Sequence, residues 1–120
     1  MAKQILVVDD EAYLRDIQVL VLRAAGYAAT ALETAAEALA RLADIRPDLI
    51  LLDMSLPGMD GREFLRRLRA SAWRRLPVIL SSGFPADDIA SLAEANTAVL
   101  PKPFSDTALL TRVRSLIGEA

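Results

Sequence analysis

The sequence predicts an α/β domain built on a doubly wound parallel sheet, and three observations carry that prediction. Short apolar runs and amphipathic helical patterns alternate five times along the 120 residues. The runs are continuous rather than alternating, as strands covered on both faces require. Two of them, ILVV at 5–8 and LILL at 49–52, run straight into carboxylates: Asp9 and Asp10 after the first, Asp53 after the second. In a regular βα order the crossovers are right-handed and helices lie on both faces, so ligands meet the sheet outside the carboxyl ends of its strands.

Each element follows in order. The first strand, 5–8, leads to a helix patterned on Leu14, Ile17 and Val21, with Gly26 as its C-terminal cap. A second strand at about 27–32 precedes a helix carrying Leu39 and Leu42, opened by Thr34 and Glu37 at capping-box spacing. The third strand, 49–52, precedes a helix with Phe64, Leu65 and Leu68, after which Trp73 is expected to pack at the helix end. The fourth strand is 78–80, and its helix is marked by Ile89, Leu92 and Ala93. A fifth strand at about 98–100 is followed by a helix with Leu109, Val113 and Leu116, capped by Ser105 or Asp106. With no repeat, linker or low-complexity segment, the reading is one domain over 1–120.

Composition excludes several kinds of chemistry. The absence of cysteine rules out thiolate metal sites and cysteine catalysis. The absence of histidine removes the commonest general base and transition-metal ligand, so a bound metal must take oxygen ligands and be hard, such as Mg²⁺. A net charge of −2 makes no case for a nucleic-acid surface. Arg66, Arg67, Arg69, Arg74 and Arg75 read as a solvated helix face. No apolar stretch is long enough to span a bilayer, and a cytoplasmic location is expected.

Asp9, Asp10 and Asp53 should gather at one sheet edge, where like charges repel unless something positive joins them. The same edge should receive Ser81 and Ser82 from the fourth strand and Lys102 from just past the fifth. Singly, a serine pair before glycine reads as a turn and a lysine between prolines as a loop residue. Together, acids for a hard cation, a hydroxyl donor and a fixed positive charge are the parts that phosphoryl transfer needs.

On the motifs VVDDE, LLDMSLPGMDG, SSG and PKPF, the whole chain resembles the receiver domains of two-component response regulators, including the single-domain chemotaxis regulator. The resemblance implies the flavodoxin-like (βα)5 fold with strand order 2-1-3-4-5. It implies that Asp53 is the phosphoacceptor, that Asp10 and Asp53 are direct Mg²⁺ ligands with Asp9 assisting directly or through water, and that Ser55 supplies a backbone carbonyl. Ser82, five residues after Pro77, matches the hydroxyl that binds a phosphoryl oxygen and is preferred over Ser81. Lys102 matches the lysine that pairs with another phosphoryl oxygen or with Asp53, and its bond to Pro103 is expected to be cis. The implied donor is a phosphohistidine on a sensor histidine kinase or a histidine phosphotransfer protein. The implied output is altered binding of an unnamed protein target through the surface of the fourth helix, fifth strand and fifth helix. Beyond phosphorylating itself and slowly losing the group, the chain is not expected to be an enzyme.

The sequence departs from the family in places. Val99 stands where an aromatic often swings inward, so coupling of Ser82 to the output surface is expected to be altered or weaker. The segment before the fifth strand lacks its usual glycine, with Asn96 expected to take the left-handed conformation. Phe84 flanks the site as either a shield against water or an exposed loop aromatic. Rival functions fit less well: a haloacid-dehalogenase-type phosphohydrolase needs an aspartate where Ser55 stands, and a nucleotide or flavin cradle needs glycine where Asp9, Asp10 and Glu11 stand. A receiver-like scaffold that works without phosphorylation is opposed by the intact acids, serine and lysine, but Val99 keeps it open as a rival. With no output segment after the last helix, the chain is expected to act through a partner or to belong to a larger regulator or hybrid kinase.

Overall fold

The computed structural model describes residues 2–83 and 96–120. Five strands, β1 (Gln4–Val8), β2 (Ala28–Leu32), β3 (Leu49–Asp53), β4 (Val78–Ser82) and β5 (Thr97–Pro101), form one parallel sheet in the order β2-β1-β3-β4-β5. Around it lie α1 (Ala12–Ala24), α2 (Ala35–Ala40), α3 (Leu42–Ile45), α4 (Gly61–Arg69) and α5 (Asp106–Ile117). The helix expected on Ile89, Leu92 and Ala93, and Phe84 with it, lies outside the described residues.

Alternation along the strands divides the core into two layers. Leu6, Val8, Ile50, Leu52, Val78 and Leu80 face α2, α3 and α4, whereas Ile5, Val7, Leu49, Leu51 and Ile79 face α1 and α5. Every residue of β3 and β4 is buried, which explains their unbroken apolar runs. Those strands are therefore rigid supports for whatever their carboxyl ends carry.

Local chemistry sets the ends of the elements. Thr34 caps α2 by accepting from Glu37 N at 3.1 Å, and Ser105 rather than Asp106 caps α5, accepting from Ala108 N at 3.0 Å. Gly26, with φ 97, closes α1. Arg46 takes the left-handed conformation, φ 51, at the end of α3 and before Pro47. The Asn96 carbonyl accepts from Val78 N at 2.9 Å, joining the starts of β4 and β5, while the left-handed conformation expected of Asn96 turns on the peptide before it, outside the described residues. The single helix expected across Leu39 and Leu42 is interrupted at Arg41, φ −107, giving α2 and α3.

Two further side chains differ from expectation. Arg69 does not lie on a solvated face: its guanidinium donates to the carbonyls of Arg74, Leu76 and Asn96 and to Thr97 Oγ1, clamping the end of α4 to the strands that follow. On α1 the buried stripe runs through Gln18 and Leu22, and Ile17 is 36% exposed. Trp73 packs against the α4-side core as expected.

The approach to the β3 carboxyl end depends on Gly61. Its amide donates to the Met54 carbonyl at 3.1 Å, and a Cβ there would sit 2.6 Å from Met54 Sδ and 3.3 Å from Met54 Cα. Because Met54 is buried, its sulfur has little room to yield. Gly61→Ala should lower stability by about 1–2 kcal/mol, the usual scale of overpacking, measured by urea denaturation. An unchanged midpoint would mean that the loop after β3 shifts freely.

Candidate functional site

The carboxyl edge of the sheet gathers its chemistry through register. Val8 pairs with Leu52 across β1 and β3, so Asp9, the next residue, stands beside Asp53. Carboxylate oxygens of Asp9, Asp10 and Asp53 all lie within 4.8 Å of one another. Asp9 and Asp53 are buried, whereas Asp10 is exposed at the rim. Lys102 Nζ lies 3.4 Å from Asp9 Oδ2 and 3.5 Å from Asp53 Oδ2. It is the positive group that the gathered acids require, and it serves two of them at once.

Backbone groups hold the acids in place. Asp53 Oδ1 accepts from Ser55 N at 3.1 Å, and Asp9 Oδ1 accepts from Glu11 N at 3.0 Å. Each carboxylate thus keeps one oxygen on the chain and turns the other toward the ammonium. Asp53 faces Ser81 in register, with Ser82 one residue further, fully buried at the tip of β4. Ser81 Oγ lies 3.5 Å from Leu52 O, a long contact directed back at β3. The Ser82 carbonyl accepts from Lys102 N at 2.7 Å, tying the end of β4 to the lysine. The Lys102–Pro103 bond is cis, as expected, and the chain turns there toward Ser105 and α5.

Asp9, Asp10, Asp53, Ser55 and Lys102 are therefore brought together, and Ser82 joins them through the backbone of Lys102. The donor set is carboxylate oxygen with no nitrogen or sulfur, which fits a hard divalent cation such as Mg²⁺. Sequence reasoning missed Arg15, whose Nη1 donates to the Asp9 carbonyl at 2.8 Å. A basic residue near the start of a helix, where the dipole does not favour it, was the available signal. It also missed Tyr13 and Leu20, apolar residues on the outer face of α1 that are 75% and 67% exposed.

Comparison with known proteins agrees with this geometry. Residues 5–114 match the response regulator receiver domain family. The DNA-binding response regulator MtrA of Mycobacterium tuberculosis is 35% identical over 115 residues, covering 96% of this chain and 50% of that protein. The phosphate regulon transcriptional regulatory protein PhoB of Escherichia coli is 36% identical over 120 residues, covering 98% of this chain and 52% of that protein. This chain spans about half the length of the curated relatives it matches. Among solved structures, the Vibrio cholerae chemotaxis protein CheY4 superposes with a TM-score of 0.86 at 28% identity, covering 98% of this chain and 100% of that one. The signal receiver domain of a signal transduction histidine kinase from Syntrophus aciditrophicus superposes with a TM-score of 0.85 at 32% identity, covering 97% and 90%. The chain belongs to the response regulator receiver domain family and is a two-component receiver with the flavodoxin-like fold.

Proposed function

We propose that this receiver is a Mg²⁺-dependent phosphoacceptor switch in which Asp53 takes a phosphoryl group from a phosphohistidine of a sensor histidine kinase or a histidine phosphotransfer protein. The observation that carries the reading is the Asp53 carboxylate at the tip of a fully buried strand, within 4.8 Å of two other acids and 3.5 Å from a lysine. Asp10 and Asp53 would hold the metal directly, Asp9 directly or through water, and the Ser55 carbonyl would complete the protein ligands. When bound, Mg²⁺ supplies positive charge that offsets the repulsion between a carboxylate and an anionic phosphoryl group.

The remaining work falls to the chain itself. Burial and the Ser55 amide hold the Asp53 carboxylate in one orientation, so little freedom is lost as it attacks. An Asp53 oxygen bonds to phosphorus as the bond from phosphorus to the donor imidazole breaks, its electron pair returning to the ring nitrogen. Lys102 then meets one phosphoryl oxygen and the Ser82 hydroxyl donates to another. The chain transfers the group to itself and loses it slowly, without turning over a separate substrate.

The donor can approach along α1. Tyr13, Ile17 and Leu20 recur at i, i+4 and i+7, forming an exposed apolar stripe that starts three residues after Asp10 in the chain. The output would be altered binding of a protein target through the surface that includes β5 and α5. Val99 pairs with Leu80 and packs on the α4-side core, so the relay to that surface uses small shifts of aliphatic packing rather than the swing of an aromatic ring. Among the described residues no helix is long and apolar enough to cross a membrane. A cytoplasmic location agrees with a donor of this kind.

Mg²⁺ titration followed by backbone amide shifts tests the metal part of this reading. Shifts should appear at Asp9 to Glu11 and at Asp53 to Ser55, with the weak affinity expected of a site having few carboxylates and several retained waters. Asp10→Asn should weaken binding by about tenfold or more, equivalent to about 1.4 kcal/mol. An unchanged titration in that variant would remove Asp10 from the ligand set.

A further inference from the structure

Asp9 is fixed at four points, and one of them reaches outside the acidic edge. Its amide donates to Leu32 O at 3.2 Å, its Oδ1 accepts from Glu11 N, and its Oδ2 faces Lys102. The fourth point is its carbonyl, which accepts from Arg15 Nη1 at 2.8 Å. The last sheet pairing of β1 is at Val8 and α1 starts at Ala12, so this carbonyl lies between the two elements. Its oxygen and the Asp10 N–H belong to one planar peptide unit. A bond that fixes the oxygen also fixes that plane, and with it the Asp10 N–H and Cα from which the Asp10 side chain leaves, so that only the Asp10 φ and χ rotations remain to place its carboxylate. Asp10 needs the help: among the described residues its exposed carboxylate accepts no hydrogen bond.

We propose that Arg15 is a positioning residue for the metal-binding acids, acting through the Asp9–Asp10 peptide to aim the Asp10 carboxylate at Asp53. The inference rests on the reading of this edge as a Mg²⁺-dependent phosphoacceptor site. Charge alone predicts the opposite behaviour. A guanidinium beside a cation site repels the cation, so if Arg15 acted only by its charge, removing it would tighten Mg²⁺ binding. If it acts by holding the peptide, removing it loosens binding. Lysine separates the two effects, because it keeps the charge but replaces a planar fork with a point donor on a flexible stem.

The test uses the full chain with Mg²⁺ alone as the probe, read by the amide shifts of Asp53, Met54 and Ser55. Arg15→Ala should weaken binding by roughly threefold to tenfold, the scale of one typical intramolecular hydrogen bond, and Arg15→Lys should resemble Arg15→Ala rather than the unaltered chain. In metal-free protein both variants should speed hydrogen exchange at the Glu11 amide, which is bonded to Asp9 Oδ1, while the unfolding midpoint stays near that of the unaltered chain. Equal or tighter Mg²⁺ binding by Arg15→Ala, or a Glu11 amide that exchanges no faster, would overturn the positioning role. If the unaltered chain gave no Mg²⁺ shifts at this edge, the metal reading of the site would fall, and the Glu11 exchange rate would still decide whether Arg15 holds the turn.

Discussion

Lys102→Ala is expected to lower the stability of the metal-free protein by about 3 kcal/mol, the low end for removing one partner from a buried ion pair. The low end applies because Lys102 is 21% exposed, although Asp9 beneath it is almost wholly enclosed. Without the ammonium, Asp9 and Asp53 remain buried next to each other with no cation between them. Mg²⁺ can take over part of that role, so it should raise the unfolding midpoint of Lys102→Ala more than that of the unaltered chain. Thermal unfolding with and without Mg²⁺ reads both effects. Equal loss in the two conditions would mean that Lys102 supports the fold by packing alone.

Asp53→Asn should act in the opposite direction on stability while abolishing phosphoryl uptake. Asp9 and Asp10 both bring a carboxylate oxygen within 4.8 Å of the Asp53 carboxylate, against one ammonium at 3.5 Å. Two repulsions oppose one attraction, and burial of the Asp53 charge adds to its cost. An amide at position 53 keeps the shape and can still accept from Ser55 N. The metal-free variant should therefore be more stable by about 1–2 kcal/mol, with the gain shrinking as Mg²⁺ is added to the unaltered chain. A less stable variant would mean that the lysine pairing outweighs the repulsion between the acids.

How much of this was legible in the sequence depended on whether a feature was local. β3 and β4 announced themselves because strands buried on both faces leave an apolar run, and the carboxylate closing each of the first and third runs marked the edge where the site lies. The Thr34 cap was readable because its partner, Glu37, is three residues away. Features that depend on distant partners were not readable. Arg66 and Arg67 lie on a solvated face and pair with Glu63, whose carboxyl is held at about 2, first by Arg66 and then by Arg67. Arg69, from the same run, bonds to groups as far away as Thr97, which only the folded sheet brings near. Likewise, the family resemblance pairs Lys102 with Asp53, but its contact with Asp9 depends on how the folded sheet sets the end of β5 beside β1 and β3. Arg15 was hidden for a related reason: its partner is a backbone carbonyl, which leaves no mark in the pattern of side chains.

The identity of Asp53 as the phosphoacceptor is tested most directly by intact mass after incubation with acetyl phosphate and Mg²⁺, with the unaltered chain and Asp53→Asn measured side by side. The expected result is one added phosphoryl group on the unaltered chain, its loss when Mg²⁺ is withheld, and none on Asp53→Asn. An adduct of equal extent on Asp53→Asn would contradict the assignment and move the acceptor to another residue.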